Sequence, residues 1–92
     1  MAMYIIVVYD ISENDVRTKV AEVLRAYGLE RVQRSVFVGR LPPALVKDLA
    51  ERIGRTIRGA NADVAIFKVD RRAIDTAVWI GARPQRGDVH LH

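Results

Sequence analysis

The chain has 92 residues, half of them apolar, and carries a formal net charge of +4; that length holds one domain with its own core and excludes a second. It contains no cysteine, which excludes disulfides and thiolate metal sites and fits a cytoplasmic protein. Most of its 15 basic residues are arginine, whose forks match phosphate oxygens, so composition leaves open both an anionic polymer as partner and a plain solvated basic surface.

The first element is the apolar run Met3–Tyr9, with Ile5, Ile6, Val7 and Val8 at its centre. Short, continuous and β-branched, it reads as a central strand buried on both faces. It is far below the ~18 residues of a membrane-spanning helix. Ser12 then reads as an N-cap, with Asp15 three residues on completing a capping box. Val16, Val20, Val23, Leu24 and Tyr27 keep helical spacing, and Gly28 supplies a left-handed stop. The stretch "LERVQRSVFVGRL" favours strand but is too long for one, so a turn near Gln33–Ser35 is expected.

Pro42 and Pro43 open a second helix, which Leu45, Val46, Leu49, Ile53 and Ile57 continue and Gly59 ends. Arg52, Arg55 and Arg58 make a basic stripe on it, either a nucleic-acid-binding surface or a solvated face. Asp63–Val69 reads as another strand and Thr76–Gly81, "TAVWIG", as one more. Asp70 and Asp75 flank a basic loop and are explained by turn chemistry. Trp79 is expected to bury itself, against the chain or a partner. Residues 82–92 read as a loose tail after a domain over 1–81, and His90 and His92 on it as an incidental pair.

Strand, helix, strand, strand, helix, strand is the α+β ferredoxin-like plait, here with an extra C-terminal strand and with both helices on one sheet face. The other face needs a polar surface or a partner. Asp10 ends the apolar run where the chain turns into the first helix, a position where αβ proteins often gather ligands. A brace for the turn is the competing reading of that carboxylate.

"VVYDIS", then Arg17 and Val20, then "YGLERVQRSVFVGRL" resemble the Cas-two family of small CRISPR-associated proteins over nearly the whole chain. The resemblance implies a homodimer packed sheet to sheet, with Asp10 facing its mate across the two-fold axis and Mg2+ shared between the pair. It implies a metal-dependent endonuclease acting on phosphodiester bonds of RNA or duplex DNA; nothing in the chain resembles a recognition helix with base-reading residues, so binding is expected to be indifferent to sequence. It also implies a role in spacer acquisition and antiviral defence, with an integrase of the Cas-one type as partner. A non-catalytic dimeric scaffold that holds duplex DNA for that integrase is the alternative.

By motif position the catalytic candidates are Asp10, Tyr9, Arg17, Arg31, Ser35 and Phe37. Asp10 is the metal ligand, Arg17 and Arg31 are phosphate contacts, and Ser35 is a polar contact near the cleft. Phe37 reads better as packing, and Tyr9 stands evenly between a site role and a strand aromatic. Relatives often place an acid after "SVF", where this chain has Val38, which leaves Asp10 the one strong metal candidate. Magnesium keeps several waters, so one or two carboxylates suffice, and a two-fold axis turns one acid per chain into two.

Overall fold

A computed structural model of the protein describes residues 2–81. The elements run β1 (Met3–Ile11), α1 (Asn14–Ala26), β2 (Glu30–Gln33), β3 (Val36–Leu41), α2 (Pro43–Thr56), β4 (Ala62–Val69) and α3 (Arg71–Asp75). The strands form one antiparallel sheet in the order β2-β3-β1-β4. With α1 and α2 side by side on one face, this is the expected ferredoxin-like plait. The expected tail, with His90 and His92, lies outside the described residues. No helix among the described residues is long and apolar enough to cross a membrane.

The alternation of β1 sorts its residues onto two faces. Ile5, Val7, Tyr9 and Ile11 are buried against Val20, Ala21, Val23 and Leu24 of α1 and Val46, Leu49 and Ile53 of α2. Phe37 and Leu41 of β3 join that core. On the other face Tyr4 is buried, Ile6 is half-buried, Val8 is 38% exposed and Asp10 is exposed. Burial on both faces, read from the continuous apolar run, therefore fails among the described residues, where no helix layer covers Ile6 and Val8. Phe67 of β4, paired with Ile6, is 54% exposed there as well.

Strand β1 runs through Asp10 to Ile11, two residues further than its apolar run predicts. The first helix consequently starts later, with Glu13 at its N-cap and no side-chain cap bond, so the expected Ser12–Asp15 capping box does not form. Ser12 serves the α2–β4 connection instead: its amide donates to the Asn61 carbonyl at 3.1 Å and its hydroxyl accepts from Asn61 Nδ2 at 3.1 Å. Glu13 Oε2 accepts the Asn61 amide at 3.0 Å. At the other end of α1, Gly28 has φ 85°, the left-handed stop expected of it. Tyr27 donates its hydroxyl to Asp48 of α2, and that carboxylate holds the phenol's pKa above its usual value.

The turn expected in the long β stretch falls at Arg34–Ser35, between β2 and β3. Pro42 is the N-cap of α2 and Pro43 its first residue. Leu45, expected in the core, is 42% exposed at the outer edge of that helix. Arg71–Asp75 form a helical turn that the basic loop conceals: Asp70 caps it by accepting the Ala73 amide at 2.9 Å, and Arg71 donates to Asp75 at 3.2 Å. Thr76–Gly81, expected as a further strand, forms none within this chain. Val78 and Ile80 are exposed and Trp79 is 41% exposed, because β propensity is realised only beside a partner strand.

Candidate active site

The C-terminal end of β1, the start of α1 and the β2–β3 turn enclose a cleft of about 290 Å³ lined by Asp10, Arg17, Thr18, Arg31, Arg34 and Ser35 with Ile11. Strand pairing brings these segments together. The Tyr9 amide donates to the Ser35 carbonyl at 3.1 Å, tying the turn to β1 beside Asp10. The cleft thus gathers four of the residues singled out in the sequence and adds Arg34 at the turn. With Arg17, Arg31 and Arg34 around a single carboxylate, its field favours an anion.

Each arginine is held differently. Arg17 donates from Nη1 to the Ile11 carbonyl at 2.9 Å and from Nη2 to Asn14 Oδ1. Those bonds brace the β1–α1 turn and aim the rest of the fork at the cleft. Arg31 stands over Phe37, its guanidinium carbon 5.3 Å from the ring centroid, and its Nε is buried without a partner among the described residues. Arg25 covers the same ring at 5.6 Å. Phe37 is 0% exposed, so it acts by packing and by supporting Arg31. Tyr9 is also buried, 6.2 Å from Phe37 between centroids, with its hydroxyl unpartnered. Both rings lie in the core beneath the cleft, not in its lining. Arg52 and Arg55 are exposed on α2, but Arg58 is exposed in the turn after the helix ends at Thr56, so the expected stripe stops short of it; none of the three lines the cleft.

Pairing also reveals an acid that sequence reasoning passed over. Asp10 is directly opposite Asp63 in the β1–β4 ladder. Side chains so placed share a face with Cβ atoms about 5 Å apart, and both are exposed. The only signal in the sequence is that the strand after α2 begins with an acid as β1 ends with one, and its meaning depends on the register. Val38, by contrast, pairs with Ile6. That is four residues, roughly 13 Å, from Asp10, so an acid there would not reach Asp10 of the same chain.

The donor set fits magnesium. Two carboxylates on one open face supply hard oxygens, and the remaining positions of an octahedral ion go to water and phosphate. Among the described residues no group of three or more His, Cys, Asp or Glu stands ready to hold a metal, so one chain offers a partial shell.

A family model described as CRISPR associated protein Cas2 matches residues 3–77. The chain is 71% identical over 90 residues to a protein of Thermoproteus tenax named CRISPR-associated endonuclease Cas1/endonuclease Cas2 fusion, covering 98% of this chain and 34% of the fusion. It is 68% identical over 91 residues to one of Pyrobaculum aerophilum named CRISPR-associated endoribonuclease Cas2 2, covering 98% of this chain and 100% of that protein. Among solved structures, a crystal structure of a Cas2 aligns with a TM-score of 0.77 and 30% identity, over 92% of this chain and 93% of that one.

Proposed function

The chain belongs to the Cas2 family of CRISPR-associated proteins, and from that premise we propose that it is a magnesium-dependent endonuclease on RNA or duplex DNA that works as a homodimer in spacer acquisition. The observation that supports this most is Asp10, an exposed carboxylate in a cleft otherwise ringed by Arg17, Arg31 and Arg34. Arg31 and Arg34 take the phosphate oxygens, and the free donors of Arg17 add to that grip. The Ser35 hydroxyl orients a neighbouring oxygen. Asp10 holds the metal, and Asp63 beside it adds a second carboxylate on the same face. When bound, magnesium supplies a nucleophile from its water and neutralises charge on the phosphate. The two-fold axis of a sheet-to-sheet dimer brings the partner's Asp10 to the same place, and Arg52, Arg55 and Arg58 extend the basic surface outside it. The integrase partner is supported by the relative whose name joins Cas1 and Cas2 in one chain.

A second reading is a dimeric scaffold that binds duplex DNA without cutting it. Favouring it is that, among the described residues, no third His, Cys, Asp or Glu joins Asp10 and Asp63. One experiment separates the two: cleavage of labelled RNA and DNA by wild type and Asp10→Asn across a magnesium titration. The nuclease reading expects magnesium-dependent cutting that Asp10→Asn abolishes, with elution volume and circular dichroism unchanged. Cutting that survives the substitution sinks that reading, and unfolding of the variant makes Asp10 a structural brace.

A further inference from the structure

Arg25, in the last turn of α1, is exposed and stands just outside the Asp10 cleft. Its guanidinium carbon lies 5.6 Å from the centroid of Phe37, and that of Arg31, which lines the cleft, lies 5.3 Å from the same centroid. The backbone explains why the two forks meet. Arg31 is opposite Phe37 in the β2–β3 ladder, so both side chains leave one face of the sheet. Phe37 packs in the core with Val20 and Leu24 of α1, so that face is the one the helices cover. Arg25 follows Leu24 and comes to the ring from the helix. A second copy seated on the band of Ile6, Val8 and Phe67, on the opposite face, leaves both forks uncovered.

Among the described residues no carboxylate forms an ion pair with either guanidinium. Glu30 belongs to the far face, because it pairs with Val38 and Val38 with Ile6. Two like charges gathered on one ring without a counterion repel, and an anionic strand laid along them relieves that cost. The ring meanwhile holds each fork in place, so little order is lost when a phosphate arrives.

We propose that Arg25 contacts the phosphate next to the one held in the cleft, so that Arg31 and Arg25 grip successive phosphates of one strand. Phe37 is the positioning residue that supports both. The inference rests on the reading of the Asp10 cleft as a nucleic-acid site and deepens it: the site recognises a run of phosphodiesters, not a lone phosphate. Because Arg25 does not line the cleft, it meets the strand where it leaves.

The test titrates the full chain in EDTA, so that nothing is cut, with a thymidine dimer carrying one phosphodiester and a thymidine trimer carrying two, neither with terminal phosphates. The uridine dimer and trimer are run alongside. Binding and the arginine Nε–H signals are followed by NMR at several salt concentrations. For wild type the second phosphate should raise affinity by about tenfold, and the Arg25 signal should move with the trimer and not with the dimer. In Arg25→Gln the gain should vanish, dimer binding should stay as it was, and the slope of log affinity against log salt for the trimer should become shallower by about 0.7. Arg25→Lys keeps a cation at the end of α1 and should recover that slope but only part of the gain; it carries the test should Arg25→Gln lose its fold. A gain that persists in full in Arg25→Gln overturns the proposal, and so does an Arg25 signal that ignores the trimer. A wild type that binds no probe of either sugar overturns the nucleic-acid reading and the proposal with it, a result told apart from loss of the gain by the dimer titration.

Discussion

Asp10 and Asp63 face each other across a ladder rung with no cation bonded to either among the described residues. Like charges so placed cost about 0.2–1 kcal/mol. Asp63→Asn should therefore stabilise the metal-free protein by about that amount in urea unfolding. If the pair holds magnesium, the ion should raise the melting temperature of wild type, and by less that of Asp63→Asn, because one of two donors is lost. A variant less stable without metal, or equally responsive to it, would remove Asp63 from the site. Asp10 is legible in the sequence because local signals frame it: an apolar run ends and a helix begins. Asp63 and Arg34 are not, since their importance lies in what stands opposite or across a turn, and that is a matter of non-local pairing. Arg17 is legible as a cation near the site, but its bonds to Ile11 and Asn14 are not.

Helices α1 and α2 follow from periodicity, and β1, β3 and β4 from their runs of β-branched and aromatic residues, because each turns a face to the same core; β2 buries none of its residues and is legible only as part of a stretch too long for one strand. What the pattern misplaces are ends and edges. The Ser12 cap is misread because β1 extends past its apolar residues, and Thr76–Gly81 is misread because strand-forming residues need a neighbour. Close approach between elements is equally hidden. Gly39 of β3 lies under Leu29, just before β2: a Cβ there would stand 2.9 Å from Leu29 Cγ and 3.1 Å from its Cα. The side chain could shift, but the backbone could not without pulling β2 off the sheet. Gly39→Ala should cost about 1–3 kcal/mol as overpacking, read as a lower urea midpoint with little change in slope. An unchanged midpoint would mean that this crossing yields freely.

At the scale of the molecule the two sheet faces are unequal. One is sealed by α1 and α2 over a core whose buried residues, among those described, are all hydrophobic. The other presents Ile6, Val8, Ala65 and Phe67 in a band, with Asp10 and Asp63 at one end and Arg40 near the other. Arginines thus gather around Asp10 at one end of β1, and the middle of this face is apolar. If a copy does cover the middle, folding and association become one equilibrium, and heat resistance turns into a property of the solution as much as of the chain. Mass action then sets the melting point. A tenfold rise in protein concentration is worth about 1.4 kcal/mol per dimer, about 0.7 per chain. That should lift the melting temperature by roughly 3–6 °C, whereas a concentration-independent transition would mean that the band stays bare. A cell that dilutes this protein would thereby also soften it, so abundance itself would tune how long the fold survives in heat.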